Sequence, residues 1–63
     1  MKNVLKTKRL EAGLKQYELA FLLGCSASHL SRVESGQRKA SEGLKREAAN
    51  LFDLKVGEIF GDN

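Results

Sequence analysis

The sequence predicts a small all-α fold, and three observations lead there. Glycines at positions 13, 24 and 36 cut the first half into segments of helical length, as glycines just past helix ends do. Within and beyond those segments, apolar residues recur at three- and four-residue spacing rather than alternating. β-branched residues are sparse (Val4, Thr7, Val33, Val56, Ile59), and the chain contains no proline.

The elements follow in order. A first helix over about Lys2–Ala12 places Leu5, Arg9 and Ala12 on one face. Residues 16–23 bring Leu19, Ala20 and Leu23 together, and residues 26–34 do the same for Leu30 and Val33. After the polar run 35–41, Leu44, Ala48, Leu51 and Phe52 mark a fourth helix, and Val56, Ile59 and Phe60 a short last one. Gly43 and Gly57 each weaken their helix by up to ~1 kcal/mol relative to alanine. The expected architecture is a compact five-helix domain spanning 1–63.

Size and composition exclude much. A chain of 63 residues buries only about 60% of its unfolded surface, which leaves no room for a multi-domain enzyme with a deep cleft. With 41% hydrophobic and 30% charged residues it has the makeup of a globular protein, not a disordered one. No apolar run approaches the ~20 residues that a membrane span needs. The early lysines are followed by no apolar stretch, so no secretory signal is expected. A single cysteine forms no internal disulfide, and the expectation is a cytoplasmic protein.

Charge is uneven along the chain. Residues 1–39 carry eight basic and three acidic side chains, whereas residues 40–63 carry three and five. The positive half either faces an anionic partner or is simply solvated. Within it, residues 15–39 read KQYELAFLLGCSASHLSRVESGQRK. One helix ends at Leu23, Gly24 and Cys25 make a tight turn, and the Ser26 hydroxyl can cap the next helix. Leu19, Leu23, Leu30 and Val33 can pack the two helices across that turn. The arrangement is either plain scaffold or a helix-turn-helix over about residues 16–35, the geometry that delivers a second helix into a DNA major groove.

The chain resembles the Xre/Cro-type helix-turn-helix regulators, the group that includes lambdoid phage repressors. LKTKRLEAGLKQYELA opens the match, GCSASHLSRVESGQRK carries its recognition segment, and ANLFDLKVGEIF closes it. Its most specific parts are Gln16 with Glu18-Leu19-Ala20, and the run from Ser31 to Gly36. The resemblance implies a five-helix, lambda repressor-like domain whose second and third helices form the reading unit. It further implies a double-stranded DNA operator as partner, and a homodimer on a near-palindromic site. No cofactor, metal or small-molecule substrate is implied.

Each matched residue has its own physics. Gln16 opens the second helix, where free N–H groups and the positive dipole end attract a phosphate, and its amide can also reach a base edge. A solvated polar residue would serve equally well there. Ala27, Ser28 and Arg32 match the family's base-reading positions. Arginine donates twice to guanine, serine serves several bases and alanine touches a thymine methyl. Arg32 could instead meet only phosphate. Ser35, Arg38 and Lys39 match places where the family meets backbone phosphates, and Lys15 adds a cation beside Gln16. Arg9 and Glu34 match an internal salt bridge tying the first helix to the third. Ile59 and Phe60 are candidates for the dimer contact, or they simply close the core.

The sequence also departs from the family pattern. Lys15 and Lys55 stand where helices 2 and 5 usually open with serine or threonine, although Glu18 and Glu58 remain three residues on. Lysine accepts no amide hydrogen bond and opposes the dipole, a cost of roughly 0.5–2 kcal/mol each. A DNA phosphate would offset it at Lys15; nothing evident offsets it at Lys55. Lys8, Glu42 and Arg46 replace residues that are usually apolar, so the core beside helix 4 should be thin.

Enzymatic chemistry is not expected. Cys25 and His29 lie four apart, but the chain has no other cysteine or histidine to complete a metal site. Ser28 or Ser31 beside His29 lacks an orienting carboxylate at credible spacing. The alternative to a DNA-binding repressor is an antitoxin-like or other protein-interaction module. Such a module should show apolar anchors on the exposed face of helix 3, where Ala27, Ser28 and Arg32 supply none.

Overall fold

The structure, a computed structural model, describes residues 3–61. Five helices follow in chain order: α1 (Leu5–Glu11), α2 (Gln16–Leu23), α3 (Ala27–Ser35), α4 (Glu42–Phe52) and α5 (Val56–Phe60). Lys2, where the predicted first helix begins, lies outside the described residues. There is no strand among the described residues.

One apolar cluster unites the helices. Leu5, Leu19, Ala20, Leu23, Leu30, Val33, Leu44, Ala48 and Ile59 are buried in it, with Leu14, Cys25, Phe52 and Leu54 packed around its edge. α2 packs on α3, and α4 packs on both α2 and α5. Five residues are too few for an isolated helix, so α5 depends on these contacts. Ile59 is 1% exposed, and its carbonyl accepts the Val4 N–H at 3.0 Å, which ties the start of α1 to α5.

Helix starts follow their side chains. The Ser26 hydroxyl accepts from the His29 amide (3.0 Å), and Ser41 does the same for Leu44 (3.2 Å). At Lys15 and Lys55 half of the reciprocal cap survives. Glu18 accepts the Lys15 N–H at 2.7 Å and Glu58 the Lys55 N–H at 2.8 Å. At Lys55 this bond satisfies the residue's own backbone donor, but no side chain caps the first amides of α5, so the cost expected of a lysine there is not offset. Gly24 (φ 75°) and Gly36 (φ 83°) end α2 and α3 in the left-handed region. Asp53 (φ 55°) ends α4 in the same way, a stop that no glycine marked in the sequence.

Two predicted core positions move to the surface. Ala12 is exposed because α1 stops at Glu11. Leu51 is 42% exposed, whereas Ala49, not foreseen, is 7% exposed. At about 100° per residue, Ala48 and Phe52 form the centre of the buried stripe, with Leu51 and Ala49 at opposite margins. The packing of α4 on α2 and α5 favours the Ala49 margin. Glu42 and Arg46 are exposed, and two alanines fill much of the α4 share of the core.

Candidate nucleic-acid interface

α3 buries one face and offers the other. Leu30 and Val33 are fully buried against Leu19 and Leu23 across the Gly24–Ser26 turn. On the opposite face, Ser28, Ser31 and Arg32 are exposed and Ala27 is half-buried. A shallow depression between the start of α2 and the outer face of α3 is lined by Gln16, Ala27, Ser28, Ser31, Arg32 and Gln37. All four residues expected to read bases meet there.

Ser31 and Gln37 were not among the residues expected to meet DNA. The signal for Ser31 was its place three and four residues beyond Ser28 and Ala27 on the same helix face. Gln37 follows the α3 stop at Gly36, and its N–H returns to the Arg32 carbonyl at 2.9 Å, which holds it beside the helix end.

Behind the depression lies a buried polar network. Arg9 Nε donates to Glu34 Oε2 at 2.8 Å and Nη2 to Oε1 at 3.4 Å. Arg9 Nη1 donates to the Leu14 carbonyl at 3.0 Å, closing the turn between α1 and α2. Both side chains are almost wholly buried, and every buried side-chain polar atom among the described residues has a partner. Glu34 Oε1 also accepts from Gln16 Nε2 at 3.0 Å. The ion pair thus reaches the surface through Gln16, a link that pairwise sequence reasoning did not foresee.

A helix-turn-helix family matches the chain over residues 5–59, a span that holds all of this. The chain belongs to the Xre/Cro-type helix-turn-helix family. No curated protein matches it at a significant level. Family membership makes the protein a DNA-binding helix-turn-helix regulator. The family is typically not enzymatic. No described helix is long and apolar enough to cross a membrane.

The remaining candidates surround the helix-turn-helix. Lys15 is exposed at the start of α2, with its ammonium 5.9 Å from the centre of the Tyr17 ring. Arg38 and Lys39 are exposed on the loop after α3, where they line a second depression with Asn3, Gly36, Ala40, Lys45 and Phe60. Lys45, which the sequence reading passed over, adds a third cation to that wall. Ser35 is exposed, but its hydroxyl donates to the Arg32 carbonyl at 3.0 Å, so its proton is turned back onto α3.

Ile59 and Phe60 separate. Ile59 has almost no surface to offer a second copy, so that half of the proposed dimer contact is corrected: Ile59 closes the core. Phe60 is half-buried against the same core and keeps some outer surface. Burial pushes the Cys25 thiol above its ordinary value, and it packs at the core's edge as a small apolar group.

The largest surprise lies on the outer face of α2. Phe21 is 83% exposed, Tyr17 61% and Leu22 47%, and with Leu14 they line an apolar groove. No side chain of α3 shares it.

Proposed function

We propose that the protein is a sequence-specific transcriptional repressor, a single cytoplasmic domain over residues 1–63 that acts by occupying an operator as a homodimer. The observation that carries this reading is the convergence of Gln16, Ala27, Ser28 and Arg32 on one exposed depression. With the start of α3 in the major groove, Arg32 donates to guanine O6 and N7, Ser28 serves a neighbouring base and Ala27 meets a thymine methyl. Lys15, Arg38 and Lys39 hold backbone phosphates on either side, with Ser35 supporting them once its hydroxyl turns outward. One helix reads only a few base pairs, so two copies bind half-sites about one DNA turn (~34 Å) apart. Phe60 is the residue of the last helix with surface left for that contact. No cofactor or small-molecule effector enters this scheme.

Selection of bound sites from randomised duplex DNA tests it. The expected result is a near-palindromic consensus whose affinity falls linearly on a log–log salt plot, at about −0.9 per neutralised phosphate. Absence of duplex binding even at low salt would overturn it.

A second reading, an antitoxin-like or other protein-interaction module, draws support from the Tyr17, Phe21 and Leu22 face. Exposed aromatics of this kind mark docking surfaces. They lie on α2 rather than on the α3 face, so this reading adds a partner without displacing DNA. Phe21→Ser should leave operator affinity intact under either reading. Loss of a protein partner together with intact DNA binding would establish the second role.

A further inference from the structure

The apolar face of α2 stays open when the outer face of α3 is occupied. Phe21 is 83% exposed, Tyr17 61% and Leu22 47%, and together with Leu14 and Glu18 they line one groove. That groove shares no residue with the depression at α3, nor with the one beside Phe60. It is nevertheless close to the surface assigned to DNA. Gln16 opens α2 inside the α3 depression, and at 1.5 Å per residue Phe21 lies only about 7.5 Å further along the helix.

We propose that this face joins neighbouring copies of the chain on DNA. The α2 face of one copy packs on the α2 face of a second copy bound at the adjacent operator, so that neighbouring operators fill cooperatively. This inference rests on the DNA-binding function proposed above, and it names the occupant of the apolar face. Area argues for a partner that DNA already holds in place. At their exposures Tyr17, Phe21 and Leu22 present roughly 300–400 Å² per copy, taking ~150–250 Å² for an aromatic side chain. Two such faces bury about 600–800 Å² in all, well short of the ~1,200 Å² at which stable interfaces begin. A partner arriving from free solution would bind too weakly. A copy tethered to the same duplex works at an effective concentration near ~1 mM, where a small contact suffices.

Shape and charge fit a second copy. A two-fold contact brings the same patch from both chains together, so the patch must carry its own complement. Phe21 is the projecting group, and the groove beside it, with Leu14, Tyr17 and Leu22, is the recess. Each chain carries a net charge of +3, which opposes association in solution until DNA phosphates neutralise it. At the edge of the face Lys15 and Glu18 carry one charge of each sign, so the face itself adds no repulsion. α4 packs on both α2 and α5, which leaves the α2 face separate from the Phe60 surface assigned to the dimer within one operator.

Quantitative footprinting tests the proposal on duplexes that carry one selected operator, or two separated by spacers lengthened one base pair at a time through a full turn. With the parent protein, filling one operator should strengthen binding at the other about tenfold, within the ~5–150-fold range of coupled sites. The effect should appear at one spacing per turn of ~10.5 base pairs and vanish half a turn away, where the second copy lies on the opposite side of the duplex. Phe21→Ser changes a side chain that makes little contact with the fold, so it should melt as the parent does. It should bind a single operator with parental affinity, fill paired operators independently, and keep the parent's oligomeric state in sedimentation.

Three outcomes overturn the inference. Independent filling by the parent at every spacing leaves the face to a different protein. Cooperativity that survives in Phe21→Ser places the contact elsewhere on the chain. Loss of a solution dimer in Phe21→Ser makes the face part of the dimer itself rather than a link between operators. A parent protein that binds no single operator removes the proposed function as well, whereas single operators that bind without assisting each other remove this step alone.

Discussion

Replacing Arg9 by methionine removes the donors on which three helices depend. The guanidinium supplies bonds of 2.8 and 3.4 Å to Glu34 and one of 3.0 Å to the Leu14 carbonyl. Arg9 is 7% exposed and Glu34 6%, so water cannot take over. What remains of the Glu34 pairing is the single bond from Gln16. Stranding a buried charge in this way costs roughly 3–5 kcal/mol. For 63 residues, whole-domain stability is on the order of 3–9 kcal/mol at ~0.05–0.15 kcal/mol per residue. Arg9→Met should therefore be largely unfolded at 37 °C. Adding Glu34→Leu removes the stranded charge and should recover most of the loss. Recovery stays incomplete because the Leu14 carbonyl and the Gln16 amide have lost partners, at about 1 kcal/mol each. Thermal melts followed by circular dichroism measure all four members of the cycle. Simply additive losses in the double variant would refute the reasoning, since two residues that share a buried bond must couple.

Four further outcomes are expected. Arg32→Ala should cost roughly 1–3 kcal/mol on the selected operator and much less on random DNA, whereas Arg38→Ala should weaken both alike and make the salt slope shallower by about one unit; titrations on both DNAs at two salt concentrations separate them. Lys55→Ser should stabilise the fold by roughly 0.5–2 kcal/mol, because a serine hydroxyl completes the half-cap that Glu58 already makes, and a denaturant midpoint reads this directly. Lys15→Ser should stabilise the fold by a similar amount but lower DNA affinity at low salt, so melting temperature and binding should move in opposite directions. The Cys25 thiol, pushed above its ordinary value by burial, should react more slowly with iodoacetamide at neutral pH than a free cysteine does, as rates measured side by side would show.

Much of the fold was legible because helix-forming signals are local. The Gly24 and Gly36 stops, the Ser26 cap and the spacing of Leu19, Leu23, Leu30 and Val33 depend only on near neighbours, and α2 and α3 follow them closely. Most of the candidate face was legible for the same reason: once Leu30 and Val33 point inward, helical geometry alone turns Ser28 and Arg32 outward. The Ser41 cap was just as local and was missed only because the polar run around it hid the helix start.

What the tertiary structure decided concerns contacts between segments far apart in the chain. Which margin of α4 is buried depended on where α2 and α5 lie, so Ala49 rather than Leu51 turned inward. Periodicity fixes a stripe but not which neighbour covers its edges. Ile59 and Phe60 are adjacent in the last turn, yet only the packed fold showed that the first is enclosed and the second keeps surface. The bond from Gln16 to Glu34 joins residues eighteen apart, and it requires α1, α2 and α3 to converge on one carboxylate. The sequence by itself determined the helices and the side chains that face outward. Their assembly in space decided which partner each polar atom finds, because a hydrogen bond depends on ångström-scale positions that no local pattern encodes.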